Sequence, residues 1–250
     1  MTTVLQTFSL NVHFGGIIAT QDVSLALERG ARHALIGPNG AGKTTLINLL
    51  TGMLKPSAGR IELGGADITR LAPQQRVRRG LVRSFQINQL FPAMTPLQSI
   101  ALAVCEHGRL GTRWLRAVGG DAAMAGECVD ILDRFRLSDV MDERTALLPY
   151  GKRRLLEIAI AIACRPKVLL LDEPVAGVAE AERQEILETL AALPADVTVL
   201  LIEHDMDLVF SFADRISVLV GGSMLVEGTK SEVARDPRVK AVYLGEAGHG

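Results

Sequence analysis

The segment Gly37-Pro38-Asn39-Gly40-Ala41-Gly42-Lys43-Thr44 decides how this sequence folds. It fits the pattern G-x-x-x-x-G-K-[S/T] and lies between an apolar run, 32–36, and a helical pattern, 45–51. Glycines let the backbone wrap closely around a phosphate, and the helix that follows directs its positive end to the same place. The segment therefore predicts a phosphate-binding loop in which Lys43 reaches the β- and γ-phosphates and Thr44 binds Mg²⁺.

An apolar run that ends in two acids, Val168-Leu169-Leu170-Leu171-Asp172-Glu173, supplies the other half of the predicted site. Such a strand places its acids at the carboxyl edge of the sheet, where α/β folds bind their ligands. Asp172 is predicted to hold Mg²⁺, and Glu173 to orient and polarise the attacking water. A strand followed by Asp-Glu is by itself more often a solvated strand end. Together with the phosphate loop, it indicates hydrolysis of a nucleoside triphosphate.

Apolar runs alternate with helical patterns along the chain, which predicts an α/β fold with a largely parallel sheet. The runs expected to be buried strands are 32–36, 168–171, 197–202 and 216–220. Between residues 91 and 165 this alternation stops, and helical patterns cover 96–105, 122–135 and 155–164. We interpret this stretch as a helical lobe inserted into the α/β core.

Composition narrows the possible functions. The 250 residues have a formal net charge of −1, so no overall positive field attracts nucleic acid. No apolar run approaches the ~20 residues that span a bilayer, and the N-terminus lacks the pattern of a signal peptide. The cysteines, Cys105, Cys128 and Cys164, lack the paired spacing of a metal site or a disulfide. These features favour the cytosol, and transport would require a channel formed by another chain.

With these motifs in place, the sequence resembles the ABC ATPase family over nearly its whole length. Three further segments carry the resemblance: His13-Phe14-Gly15-Gly16, Ser84-Phe85-Gln86 and Ile202-Glu203-His204-Asp205. It implies that Phe14 stacks on adenine, that Gln86 touches Mg²⁺ and senses a membrane subunit, and that His204 contacts the γ-phosphate. Each residue alone has an ordinary structural explanation, but together they occur in the family's order and spacing.

The family signature corresponds to Leu148-Pro149-Tyr150-Gly151-Lys152, which is predicted to precede a helix. The resemblance implies that Pro149, Tyr150 and Gly151 face the phosphate of an ATP bound to an opposing subunit. Two positions depart from the family pattern. Pro149 stands where a serine hydroxyl is usual, and Ala179 where Asp or Asn is common. Because Lys43, Asp172 and Glu173 are all present, ATP hydrolysis by this chain is still expected.

The resemblance also implies a complete fold: a P-loop NTPase core with a mainly parallel sheet, an N-terminal antiparallel β portion and an inserted helical lobe. A single domain is expected over 1–250, with the core at 1–90 and 166–250 and the lobe at 91–165. ATP and Mg²⁺ are the expected cofactors. The predicted ATP-binding residues of the loop are Gly37, Pro38, Asn39, Gly40, Ala41, Gly42, Lys43, Thr44 and Thr45, and the predicted Mg²⁺ ligands are Thr44, Gln86 and Asp172.

Within the family, the Tyr150-Gly151 signature is similar to that of importer ATPases for branched-chain amino acids. Similarity to the same group is also found in the segments 86–92, 203–207, 213–216 and 242–246. The chain resembles the longer of two paired ATPases, which implies a second ATPase subunit in a heterodimer, although a homodimer stays possible. It also implies two membrane permeases, a periplasmic binding protein and a peripheral location at the cytoplasmic face of the plasma membrane. Urea and amide importers use a similar ATPase.

Three alternatives stay open from the sequence. The ATPase of lipopolysaccharide export shares the ending around Tyr243-Leu244-Gly245, but the Tyr150-Gly151 signature argues against it. A non-transport ABC ATPase acting on ribosomes or DNA typically needs two cores or a long coiled-coil insertion, for which 250 residues leave no room. A small-molecule P-loop kinase would not explain the signature or His204.

Overall fold

The computed structural model describes residues 2–84, 90–107 and 122–246, without the side chains of 244–246. The chain divides into two compact units. The first consists of Met1–Leu81, Lys167–Glu173 and Ala195–Gly250. The second consists of Val82–Pro166 and Pro174–Pro194.

Strands dominate the described part of the first unit. They are β1 (Thr3–Phe14), β2 (Ile17–Val23), β3 (Ala26–Glu28), β4 (Arg32–Ile36), β5 (Ala58–Leu63), β6 (Ala66–Asp67), β7 (Leu81–Arg83, which begins at the boundary), β8 (Val168–Asp172), β9 (Thr198–Ile202), β10 (Arg215–Val220) and β11 (Ser223–Thr229). The helices of this unit are α1 (Lys43–Thr51), α2 (Pro73–Arg78), α7 (Met206–Phe212), α8 (Lys230–Arg235) and α9 (Pro237–Glu246).

A mainly parallel sheet forms the centre of the first unit. Its strands lie in the order β11-β10-β4-β9-β8. Pairing is parallel between β10 and β4, between β4 and β9, and between β9 and β8, whereas β11 is antiparallel to β10. The four runs predicted as buried strands are β4, β8, β9 and β10, so this part of the prediction is confirmed.

Successive side chains along these strands point to opposite faces of the sheet, and each face carries its own hydrophobic core. In β4, Leu35 joins one cluster of buried side chains while Ala34 and Ile36 join the other. Side chains that alternate in this way point to opposite faces of a strand. The Leu35 cluster includes buried residues of α1 and β1, and the Ile36 cluster includes residues of α7 and α8. The near-continuous apolar runs read from the sequence are thus explained by burial on both faces.

A second sheet, antiparallel, occupies the N-terminal part of the first unit. Its order is β2-β1-β5-β6, and β3 also pairs with β1. All of these pairings are antiparallel. The predicted combination of a mainly parallel sheet with an N-terminal antiparallel portion is therefore present.

The second unit is helical in its described part. Its helices are α3 (Pro96–His107), α4 (Ala122–Arg134), α5 (Tyr150–Ala163) and α6 (Glu180–Ala191), with short 3₁₀ turns at Ser138–Val140 and Thr145–Leu147. The helix α3 packs against α4 and α5, and α5 packs against α6.

One predicted boundary is wrong. The helix expected over 155–164 begins at Tyr150, because Pro149, in an extended conformation, is its N-cap. Tyr150 and Gly151 therefore belong to the first turn of α5, whereas the signature was expected to precede the helix. Gly151 disfavours a helix by its intrinsic propensity, and contacts with other parts of the unit override that preference.

Candidate functional site

The loop 37–44 follows β4 directly and leads into α1, as predicted. A Cβ atom at Gly37 would lie 2.1 Å from the carbonyl oxygen of Leu219, and one at Gly42 would lie 2.6 Å from that of Ala19. Gly42 also has a left-handed φ of 98° as the N-cap of α1. Neighbouring backbone thus leaves no room for a side chain at either position, and the glycines are what let the loop pack here.

Lys43 folds back over the loop that precedes it. Its ammonium donates hydrogen bonds to the carbonyl oxygens of Gly37 and Pro38, the latter at 3.0 Å. Thr44 is exposed and Thr45 is half-buried in the first turn of α1. That turn has no acidic residue, and its N–H groups lie at the positive end of the helix. The loop and the helix start therefore form a surface suited to an anion, with a cation held beside it.

Asp172 and Glu173 lie where β8 ends. In the register of the sheet, Asp172 pairs with Ile202 of β9, and Ile202 pairs with Leu35 of β4. The ends of β8 and β4 therefore lie at the same edge of the sheet. Glu173 donates its backbone N–H to the carbonyl oxygen of Ile202 at 2.9 Å and has a left-handed φ of 47°. This conformation is costly for a residue with a side chain, and such strain is concentrated at functional sites.

His204 meets Glu173 at this edge. Its Nδ1 lies 3.5 Å from Oε1 of Glu173, and both side chains are substantially exposed. The neighbouring Glu203 is buried and accepts hydrogen bonds from the backbone N–H groups of His204, at 3.1 Å, and Asp205, at 3.4 Å. Glu203 thus holds the backbone that carries His204. This role of Glu203 was not predicted from the sequence, although an acid directly after a buried strand is visible there.

Phe14 ends β1 at the tip of a hairpin and is 50% exposed. It pairs with Ile17 across the turn, and Ile17 and Ile18 are also exposed. An aromatic ring among exposed apolar side chains offers a flat surface on which a base can stack. The same hairpin lies next to the phosphate loop, because a Cβ atom at Gly42 would lie 2.6 Å from the carbonyl oxygen of Ala19.

The donor set at this edge fits Mg²⁺. The ion prefers oxygen ligands and is commonly held by one or two carboxylates together with substrate phosphates. The hydroxyl of Thr44 and the carboxylate of Asp172 are oxygen donors of this kind. The third predicted ligand, Gln86, lies outside the described residues.

The signature residues begin α5 in the second unit. Pro149 caps the helix without a side-chain hydrogen bond, and the Tyr150 hydroxyl donates to the carbonyl oxygen of Ala176 at 3.1 Å. The backbone N–H of Gly151, which is buried, donates to Oε2 of Glu182 at 3.2 Å. The other departure from the family pattern, Ala179, is the N-cap of α6 and also makes no side-chain cap.

One turn further along α5, a buried ion pair contacts the segment that leads into α6, where Ala176 also lies. Arg154 donates to the carbonyl oxygen of Pro174 at 3.0 Å and to Oε2 of Glu157 at 2.7 Å. Burial raises the pKa of Glu157 to about 7, although the hydrogen bond and charge of Arg154 oppose this. Neither Arg154 nor Glu157 was predicted from the sequence to form such a pair.

None of the helices within 2–84, 90–107 and 122–246 has the length and apolar character needed to cross a bilayer.

Comparisons with known proteins agree with this arrangement. The family described as ABC transporter matches residues 20–176. The high-affinity branched-chain amino acid transport ATP-binding protein BraF of Pseudomonas aeruginosa is 38% identical, and the alignment covers 98% of each chain. The corresponding protein LivG of Salmonella typhimurium is 40% identical, again over 98% of each chain.

A solved structure supports the fold. The ADP conformation of an ATP-binding cassette of an ABC transporter is 33% identical, with a TM-score of 0.84 and coverage of 98% of this chain and 100% of that one. The predicted fold class and resemblance are confirmed. The chain belongs to the ABC transporter family, as one of its ATPase subunits.

Proposed function

We propose that this chain is the ATP-hydrolysing subunit of an importer for branched-chain amino acids or related small polar solutes. BraF and LivG, which match almost the whole chain, are branched-chain amino acid transport ATP-binding proteins, and this similarity supports the assignment over lipopolysaccharide export. The observation that carries the hydrolytic role is the pairing of Glu173 with His204, 3.5 Å apart, at the sheet edge that also carries the phosphate loop.

ATP binds along the edge of the first unit. Its adenine stacks on Phe14, and its phosphates lie on the backbone of residues 37–42 and on the first turn of α1, which includes Thr44 and Thr45. Lys43 exchanges the carbonyl oxygens of Gly37 and Pro38 for the β- and γ-phosphates, because a phosphate oxygen carries more charge than a carbonyl oxygen. When bound by Thr44, Asp172 and Gln86, Mg²⁺ neutralises charge that develops on the phosphates.

Glu173 and His204 act on the γ-phosphate. Glu173 accepts a hydrogen bond from the attacking water and orients its oxygen toward phosphorus, and His204 contacts the γ-phosphate oxygens. The bond from water to the γ-phosphorus forms while the bond to the bridging β–γ oxygen breaks, so ADP leaves with that oxygen. The hydrogen bond from the Glu173 backbone to Ile202 supports this role, since it fixes the carboxylate at the end of β8.

The working unit contains two ATPase subunits. In our proposal Pro149, Tyr150 and Gly151 cover the ATP of a second subunit, in a heterodimer of related chains, and that subunit's signature covers the ATP bound here. Residues 91–165 form the helical lobe that carries the signature. Gln86 passes closure to one of two membrane permeases, served by a periplasmic binding protein, and the chain lies at the cytoplasmic face of the plasma membrane. No nucleic acid takes part.

The catalytic role is tested with Glu173→Gln in the complex that co-purifies with the chain. We expect kcat for ATP hydrolysis to fall about 100-fold or more while ATP still binds, because a neutral amide cannot polarise the water. The matched control is Glu180→Gln, whose carboxylate is 91% exposed and 4.0 Å from Arg183. Unchanged turnover in Glu173→Gln would contradict the assignment of Glu173 as the residue that polarises the water.

The transported solute is tested separately. Cells that lack the chain should lose uptake of labelled leucine and regain it with the wild-type chain, but not with Glu173→Gln. Loss of urea uptake with normal leucine uptake would move the assignment to a urea importer.

A further inference from the structure

The start of α5 already holds an anion from the chain itself. The N–H of Gly151 donates to the Glu182 carboxylate at 3.2 Å. A Cβ atom at Gly151 would lie 2.9 Å from Cδ, 3.0 Å from Cβ and 3.0 Å from Oε2 of Glu182. The carboxylate therefore packs directly against the glycine, and a residue with a side chain at position 151 would displace it.

The electrostatics of the helix explain why a carboxylate lies there. The first turn of α5 contains no acidic residue, and its N-cap, Pro149, has no hydroxyl to accept a hydrogen bond from the helix. Helix N-termini attract negative charge and need acceptors for their first N–H groups. Glu182, from the first turn of α6, supplies both the acceptor and the charge.

Neighbouring contacts attach the start of α5 to α6 and to the segment before it, and so keep Gly151 beside Glu182. Lys152 lies 3.4 Å from Oε1 of Glu185, one turn further along α6, and 3.3 Å from Asp139. The hydroxyl of Tyr150 donates to Ala176, in the segment that leads into α6. The first residues of α5 are thus attached to this segment on either side of the contact between Gly151 and Glu182.

We propose that Glu182 is the resident anion of the signature segment and that the γ-phosphate of ATP on the opposing subunit has to displace it for the two subunits to close. The inference rests on the proposed function, since it takes the signature as the cover of a second ATP. Gly151 has a single N–H, and two anions placed at one donor repel each other. Glu182 therefore raises the ATP concentration needed for closure, and its return after hydrolysis favours reopening.

The test is ATP-driven association of the full-length chain carrying Glu173→Gln with the ATPase subunit that co-purifies with it, followed by light scattering over a range of Mg²⁺–ATP concentrations. Adding Glu182→Ala should lower the half-maximal ATP concentration about fivefold, and Glu182→Gln should lower it less, because an amide oxygen still accepts from Gly151 but carries no charge. Glu185→Gln is the matched control. It makes the same charge change on the same helix, and we expect the curve to stay within about twofold of the parent.

Two further measurements distinguish a failure of the inference about Glu182 from a failure of the proposed function. Affinity for a fluorescent ATP analogue should be the same in all variants, and the melting temperature should stay within about 5 °C of the parent, which shows that each is folded with an intact nucleotide site. A parent chain that binds no nucleotide contradicts the proposed function itself. If it binds nucleotide and the Glu182 variants behave like the parent at every ATP concentration, whether dimeric or monomeric, the inference about Glu182 is overturned. A higher half-maximal concentration in Glu182→Ala also overturns it, since Glu182 would then support the closed state.

Discussion

The phosphate loop and the signature segment are two helix starts that the chain stabilises in different ways. In the loop 37–44, the internal partner is a cation, Lys43, bound to carbonyl oxygens five and six residues earlier. At the start of α5, the internal partner is an anion, Glu182, bound to an N–H group 31 residues earlier. The first arrangement is local and can be read from a motif. The second depends on how α5 packs against α6.

The two regions differ most in what a side chain would meet at their glycines. At Gly37 a Cβ would meet the backbone oxygen of Leu219 at 2.1 Å, whereas at Gly151 it would meet a flexible side chain. We expect Gly37→Ala to lower the free energy of unfolding of the first unit by about 3–5 kcal/mol, because the backbone cannot move aside locally. Gly151→Ala should cost less than about 1 kcal/mol, because Cδ and Oε2 of Glu182 can rotate away, the contact with its Cβ at 3.0 Å needs only a small shift, and alanine favours a helix. Urea denaturation measures both.

A double substitution sharpens this comparison. Glu182→Ala removes Cδ and Oε2 but keeps Cβ, which lies 3.0 Å from the position of a Cβ at residue 151, so it should remove only part of the cost of Gly151→Ala. Glu182→Gly also removes Cβ and should remove the rest. Equal destabilisation by Gly37→Ala and Gly151→Ala would show that the backbone, and not Glu182, determines the need for glycine in α5.

The far end of the phosphate-loop helix depends on a buried arginine. Arg76 donates to the carbonyl oxygens of Leu49 and Leu50, both at 2.6 Å, at the C-terminal end of α1, and to those of Thr69 and Leu71. We expect Arg76→Met to cost about 3 kcal/mol, because it removes the donor from several buried acceptors. The exposed Arg79 is the matched control, and Arg79→Met should stay within about 0.5 kcal/mol of wild type in the same denaturation experiment. Similar losses in both variants would contradict the role of Arg76.

The stability of the two units should also change with pH in opposite directions. Burial lowers the pKa of His33 on β4 to about 4, with Glu227 raising and Arg215 lowering it, and His33 contacts Ser217 at 2.8 Å. The unfolded chain binds the proton more readily, so this stabilisation is present above about pH 6.5 and is lost as the pH falls toward 4. Glu157, paired with Arg154, has its pKa raised to about 7, so its contribution is present below about pH 4.5 and is lost as the pH rises through 7.

Hydrogen exchange can measure this difference, once corrected for the intrinsic effect of pH on exchange. Between pH 7.5 and 5, the opening free energy of β4 should fall by roughly 2 kcal/mol, and that of α5 should rise by a similar amount. His33→Gln should abolish the first change and Glu157→Gln the second. Changes of the same sign in both elements would contradict these assignments.

Local motifs made the first unit largely predictable. The loop 37–44, the strands β4, β8, β9 and β10 and the acids after β8 were each visible as short patterns, because apolar runs, glycines and terminal acids constrain the backbone locally. The helical lobe was expected from the run of helical patterns between residues 91 and 165, and the antiparallel portion from the resemblance.

Other features depend on tertiary contacts and were not predictable. Arg76 is one of several arginines between residues 76 and 83, yet it is buried because four carbonyl oxygens converge on its guanidinium. The pairing of Gly151 with Glu182 joins residues on two helices, and no spacing in the sequence indicates it. The start of α5 was placed five residues too late for the same reason, since packing and not propensity sets it.

The central claim, that ATP binds at the loop 37–44, is tested most directly by the equilibrium binding of a fluorescent ATP analogue to the purified chain and to Lys43→Ala. We predict saturable binding by the wild-type chain and a loss of affinity of at least about 30-fold in Lys43→Ala, with an unchanged melting temperature, because the substitution removes the ammonium that contacts the phosphates in our proposal. Equal affinity in the two proteins, or no binding by the wild-type chain, would contradict the account.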